Sequence, residues 1–478
     1  MRNYVRYPAL IQALADSPNF SPPNTTARQL EEDTLLGPFF RLSPMQPVVA
    51  LNYFNGAKTR DRGYIVNSQN ALRLTLRTHQ AELYDIADRF IKASKGPREK
   101  MLDWFATIVN LNHKRRAIRT DPRYISSDGF MTNITVCLDQ LCEPFMDAAF
   151  SKVNRIEVEY LRRSPRVDIK DETKINADQS AADEYYANKA NGTSNFISEI
   201  FFLTVAAHHY GTEAIQSKLS SLRKDLKHMD KQLEKFEEER QKYAHSPSAL
   251  AHFDTMFKKY KDQVEQGHCV YFATEGVLLD DLSQARSMSF MRYVIVWLLR
   301  VVSGTEFPAQ SIELPLPQAQ SEVFRNLPEY LIEDVVDHFK FLTSHMPHII
   351  SSTQCDELVM ICITFLRSSE YIKNPYLKSG LVSILFYGVM PVRQSTKGIL
   401  GDVLNALPFA LKHLLHALMQ FYIECESTGA HTQFYDKFNI RYEIFQVIKC
   451  IWSNVVYREN LATEARLVFV STYLKRRY

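Results

Sequence analysis

From Gly37 onward one pattern dominates the chain: segments of 12 to 30 residues carry apolar side chains at helical spacing, and each is closed by a Gly, Pro or Ser/Asn cluster. Segments 70–93, 97–117, 128–150, 195–209, 276–302, 353–367, 408–426 and 441–454 are of this kind. No alternating strand series accompanies them, and 15 glycines in 478 residues leave few positions for hairpin turns. The spacing therefore predicts an all-α chain. Its length exceeds what one compact core organises. Short-linked amphipathic helices with no exact repeat then predict an elongated, armadillo-like α-solenoid of stacked helix pairs.

Three segments stand apart. Residues 1–36 read as an irregular lead-in, because DSPNFSPPNTTARQLEEDTLL at 15–35 is rich in Pro, Ser, Asn and Thr and lacks apolar periodicity. The helical core is expected over 37–478. Residues 164–194 are polar and nearly free of large aliphatics, which predicts a surface loop. In 215–243 the residues Ile215, Leu219, Leu222, Leu226, Met229, Leu233 and Phe236 form a heptad seam, with charged and polar residues between them. A second seam follows the short turn at 245–248, through Leu250, Phe253, Phe257, Tyr260 and Val264. Two seams joined by so short a turn predict an antiparallel helical hairpin over 215–264, projecting from the body, rather than a longer intermolecular coiled coil.

Composition narrows the chemistry. Lys and Arg number 57 against 54 Asp and Glu, a formal charge of +3 that writes no general attraction for nucleic acid or membrane into the chain. The longest apolar runs, such as YVIVWLL within 293–299, fall far short of the roughly 20 residues that span a bilayer. Seven scattered cysteines and the lack of a basic, apolar leader fit a reducing, intracellular compartment. In that setting the acceptor triplets at Asn24, Asn133 and Asn191 have no consequence.

An acidic and histidine cluster lies in NLPEYLIEDVVDHFKFL at 326–342, with Glu329, Glu333, Asp334, Asp337 and His338. On a helical wheel Leu327, Leu331, Ile332, Val335, Val336, Phe339 and Leu342 take one half, and Glu329, Glu333, Asp337 and Lys340 the other. Asn326 and Glu329 resemble a capping box, and Pro328 suits a first turn. Asp334 and His338 supply two ligands and nothing nearby completes a set, so a solvated or capping role is expected. Cys137 with Cys142, and Cys355 with Cys362, lack zinc-ribbon spacing and read as buried thiols. His208 and His209 sit at a helix end, where a cation meets the dipole or a carbonyl. Basic clusters at 112–119, 160–166, 257–261 and the C-terminus are dispersed among acids, so no nucleic acid partner is expected. No HExxH, GxSxG or GxxxxGK[ST] sequence occurs, and no catalytic, cofactor-binding or metal residue is assigned.

Five blocks in order carry a resemblance: GPFFRLSP at 37–44, SSDGFMTNITVCLDQLCEPFMD at 126–147, FISEIFFLTVAAHHYG at 196–211, FRNLPEYLIEDVVDHF at 324–339 and TGAHTQFYDKFNIRYEI at 428–444. The chain resembles the core of the U-box ubiquitin conjugation factors, the chain elongation factors of the ubiquitin-fusion degradation pathway. The resemblance implies an armadillo-like core which, in the family, carries a C-terminal U-box. That domain holds a charged ubiquitin-conjugating enzyme and extends chains on substrates already bearing ubiquitin. It further implies an AAA segregase and ubiquitin-like-domain shuttle proteins as partners, and work in cytoplasm and nucleus. No U-box-like segment is found before Tyr478, so the chain reads as the N-terminal and middle part of that core and as inactive by itself. The alternative is a non-catalytic helical adaptor for ubiquitin-like or segregase partners. Within the scaffold reading the hairpin at 215–264 is the preferred candidate for a partner contact. The last helix, expected at 461–478, would leave Val468, Phe469, Val470 and Tyr473 exposed.

Overall fold

The computed structural model describes residues 1–117, 120–243, 245–350, 356–391, 398–427 and 434–463. Among these the chain is helical without a named strand. In chain order the α-helices are α1 (Pro8–Ala15), α2 (Ala27–Glu32), α3 (Gly37–Arg41), α4 (Pro47–Phe54), α5 (Arg62–Ala93), α6 (Lys95–Leu111), α7 (Asp128–Cys142), α8 (Gln179–Ala187), α9 (Phe196–Tyr210) and α10 (Thr212–Glu239). They continue with α11 (Pro247–Leu278), α12 (Asp281–Ser303), α13 (Glu322–Asn326), α14 (Tyr330–His345), α15 (Asp356–Arg367), α16 (Pro375–Val389), α17 (Gly401–Ala406), α18 (Pro408–Ser427) and α19 (Phe434–Ile451), and residues 455–463 are again helical.

The starts follow local chemistry. Asp61, Ser127 and Asp178 accept hydrogen bonds from backbone amides in the first turns of α5, α7 and α8. Thr26 and Gln29 close a capping box on α2. Pro in the first turn opens α1, α4, α11 and α16. The run expected as one helix over 276–302 is divided, because Asp280 caps Ser283 at 3.0 Å and binds Arg77. α12 therefore starts at Asp281 and Gly276 stays inside α11.

Two compact units form. The first comprises Met1–Pro144, Arg166–Asp168 and Glu199–Ser287; the second comprises Phe145–Pro165, Ile169–Ser198 and the described residues from Met288. In the first unit α5 packs against α1, α4, α6, α7 and α11. α7 is buried from Gly129 to Cys142, and its polar residues are matched. Asn133, for example, donates to the carbonyls of Phe40 and Leu42 at 2.9 Å and accepts from Gln80 at 3.1 Å. In the second unit α14, α16 and α19 form one row and α15 and α18 another, bridged by α15–α16 and α18–α19 contacts. Among the described residues these main contacts join near neighbours, the packing expected of a solenoid.

Three expectations change. The lead-in is not irregular: α1 and α2 lie within it, and Val5, Ile11, Phe20 and Leu30 are buried, with Phe20 against Phe90 at a ring distance of 5.3 Å. Few apolar residues suffice there because long α5 and α6 already present a surface to cover. The 164–194 segment is no free loop either. In the second unit the amides of Ile175 and Asn176 donate to the carbonyls of Leu327 and Arg325, Glu329 donates back to Thr173 at 2.8 Å, and Ile175 is fully buried. α8 closes this strap, with the Tyr186 hydroxyl 2.6 Å from the Asn326 carbonyl. Backbone hydrogen bonds do here what aliphatic periodicity does elsewhere. Lastly, α7 ends at Cys142 rather than running to Phe150, and Glu143–Phe145 is a 3-10 turn.

Candidate functional site: the hairpin and its charged root

The two heptad seams do zip together. α10 and α11 run antiparallel, with Leu219, Leu226, Leu233 and Val264 buried along the seam. Phe236 meets Tyr260 edge-on at 5.3 Å, and Tyr243 stacks on Phe253 at 5.0 Å. Arg240 grips Asp254 with two bonds of 2.6 and 2.8 Å, and Asp230 sits 3.1 Å from His268. A Cβ on Gly267 would lie 2.7 Å from Leu226, so this glycine lets the helices close. The helices are longer than the seam suggested: α11 continues to Leu278 and packs its C-terminal half on α4 and α5. The Glu265 carboxylate accepts from the Gly56 amide at 2.7 Å, and Lys58 pairs with Asp230 at 2.6 Å. The hairpin is thus seated at its root, while residues near its turn are mostly exposed.

The root itself carries a cluster of buried charged groups. His208, in the last turn of α9, places Nε2 2.7 Å from Asp139 of α7 and Nδ1 3.5 Å from Glu213 in the first turn of α10. All three are buried, and Ser287 donates to the other Asp139 oxygen at 2.7 Å. Burial opposes charge on the imidazole, but Asp139 and Glu213 outweigh it and raise its pKa to about 10. The cluster therefore holds a protonated histidine between carboxylates and fixes α9, α7 and α10 at one point. The sequence placed His208 at a helix end; its partners are these acids. Gly211 makes the turn between α9 and α10, where a Cβ would fall 2.4 Å from the Ala207 carbonyl oxygen and 2.5 Å from Thr135. Gly211→Ala is expected to cost about 1–3 kcal/mol by overpacking, read as a lower urea midpoint with the helical circular dichroism of the native state kept.

The other sequence candidates resolve into structure. Asp334 and His338 are both buried on α14, so the solvated role is wrong for them; Glu333 and Asp337 remain partly exposed. The capping box is not formed. Asn326 ends α13 and bonds back to Glu322, Glu329 accepts from Asn374 at 2.6 Å, and Pro328 bridges to Lys174 rather than opening α14. Among the described residues no group of three His, Cys, Asp or Glu side chains is arranged to hold a metal ion. Cys137, Cys142 and Cys362 are buried, and burial pushes their thiols well above the ordinary range, which suits inert core residues. Cys355 lies outside the described residues. Of the basic clusters, Arg162, Arg163 and Arg166 pair with Glu159, Glu157 and the Glu99, Asp103 and Glu199 carboxylates. Arg115 is buried against Asp128 and the Tyr210 carbonyl. These clusters hold the fold together; Lys258, Lys259 and Lys261, on α11, remain exposed. Arg119 and the C-terminal cluster lie outside the described residues. Among the described residues no helix is long and apolar enough to cross a membrane.

Known proteins share most of this sequence. Ubiquitin conjugation factor E4 of Schizosaccharomyces pombe is 38% identical over 451 residues, covering 94% of this chain and 44% of that protein. The E4 ubiquitin-protein ligase UFD2 of Saccharomyces cerevisiae is 29% identical over 456 residues, covering 91% and 47%. A probable ubiquitin conjugation factor E4 of Arabidopsis thaliana is 26% identical over 470 residues, covering 89% and 44%. The chain thus spans less than half the length of each of these relatives. The family described as "Ubiquitin elongating factor core" matches residues 36–471, which take in the hairpin, its charged root and the helical rows alike, and the chain belongs to that family.

Proposed function

We propose that this chain is the scaffold core of a ubiquitin-chain elongation factor. It gives a ubiquitinated substrate a fixed reach towards the ubiquitin-conjugating enzyme that a U-box would hold. The observation that carries the reading is the family match over residues 36–471, on a chain built of stacked helices. A scaffold of near-neighbour contacts suits the role, since it transmits position without a single central core. The thioester chemistry belongs to the conjugating enzyme, and no residue of this chain is assigned a catalytic part. An AAA segregase and ubiquitin-like-domain shuttle proteins are further partners under this reading, and cytoplasm and nucleus its setting, on the strength of the resemblance alone.

The test is retention of substrate. The immobilised chain is expected to retain a ubiquitin-fused substrate at least tenfold more than the same substrate without ubiquitin, and equal retention overturns the reading. The helical adaptor alternative predicts the same table with a ubiquitin-like domain or the segregase as the retained species, and no retention of the ubiquitin-fused substrate.

A further inference from the structure

The exposed side of α10 is not evenly charged. Lys224, Lys227, Lys231 and Lys235 are all exposed, and at about 100° per residue they fall within a sector of about 80°. That sector lies opposite the buried seam of Leu219, Leu226 and Leu233, so the row points away from α11. Their spacings of 3, 4 and 4 residues make each lysine the helical neighbour of the next, an arrangement of like charges that weakens an isolated helix. Three acids of the hairpin are engaged away from the row: Asp230 binds Lys58 and His268, Asp254 binds Arg240, and Glu239 lies near Lys242, whereas Asp225, Glu234, Glu237 and Glu238 are exposed. Among the described residues none of the four lysines has a carboxylate within ion-pair distance. The hairpin holds this row straight through its seam and its seated root.

We infer that this lysine row is a docking surface for an acidic protein segment, one that spreads carboxylates over the roughly 16 Å between Lys224 and Lys235. Docking would relieve the repulsion along the row. A protein is favoured over a nucleic acid because Glu234 and Glu238 flank the row towards the turn, where they would repel a continuous polyanion but leave discrete carboxylates free to pair. No aromatic side chain interrupts the row to stack a base. Exposed ion pairs are individually weak, so the contact sets on-rate and orientation and weakens with salt. The inference rests on the scaffold reading only for its purpose; the surface itself is tested without ubiquitin.

The test uses the full chain and a labelled helical peptide with Glu at positions i, i+3, i+7 and i+11, beside the same peptide with Gln. Binding is expected to the Glu peptide only, to weaken at least tenfold between 50 and 300 mM salt (concentrations set by screening length), and to fall at least tenfold in the Lys224→Glu, Lys227→Glu, Lys231→Glu, Lys235→Glu variant. The fourfold Lys→Arg variant is expected to keep it, and the fourfold Lys→Gln variant replaces the Glu variant should that one fail to fold. Absence of binding by the native chain, or equal binding by native and neutralised chains, overturns the inference. Tighter, lysine-dependent binding of a single-stranded oligonucleotide overturns it in favour of nucleic acid. Loss of ubiquitin-dependent retention with lysine-dependent peptide binding intact would count against the scaffold reading alone.

Discussion

Replacing His208 with alanine is expected to destabilise the first unit by about 3–5 kcal/mol, since it leaves Asp139 and Glu213 buried without the cation between them. His208→Gln keeps much of the volume but not the charge and is expected to lose most of the same amount. The pH dependence identifies the cause. The folded pKa of about 10 lies above the ordinary 6.5, so the imidazole's stabilisation is complete below about pH 6.5 and is lost as the pH rises through about 10. Urea unfolding from pH 6 to 10 should therefore show a decline in native stability that the alanine variant lacks. Parallel curves for the two proteins would mean that His208 is neutral in the fold. Because Glu213 opens α10, the same variant should increase protease cleavage near residues 211–216 before the rest of the unit is cut.

Trp104→Ala should be the second large effect, about 3–5 kcal/mol. The indole of α6 is fully buried, 5.1 Å from Phe40, 5.4 Å from Phe105 and 6.4 Å from Phe130 by ring centroids, and its removal opens a cavity where three helices meet. Its Nε1–H has no partner among the described residues. Trp104→Phe discards that unsatisfied donor while keeping an aromatic ring, so it is expected to cost less than about 2 kcal/mol, part of the lost packing being returned. Calorimetric midpoints of the two variants check this, and a phenylalanine variant as unstable as the alanine one would mean that the N–H is paired after all.

Both effects sit on α6 and α7 and on the α9–α10 turn, regions whose helices the sequence makes plain and whose partners it does not. The periodic apolar residues of α5, α10 and α11 identify each helix, because a buried stripe at 3.6-residue spacing is a local property of the chain. The hairpin was legible for the same reason: two seams and a short turn leave one compact way to bury both. The five sequence blocks made the family legible, and the match over residues 36–471 agrees with them.

Helix ends and sparse segments were less legible. Asp280 divides the 276–302 run because Arg77, some two hundred residues earlier, shares its carboxylate. Residues 1–36 and 164–194 look irregular, since their order comes from surfaces and carbonyls supplied by other elements. The lysine row on α10 was countable in the sequence, but its significance depends on which acids are already engaged. Local spacing, in short, determined the all-α class, the hairpin and the heptad seams, because each depends on residues within a few turns of one another. Tertiary structure decided that Asp334 and His338 are buried, that His208 is held charged between Asp139 and Glu213, and that the polar strap at 169–198 is ordered. Those outcomes depend on groups far apart in the chain, whose meeting only the packed helices bring about.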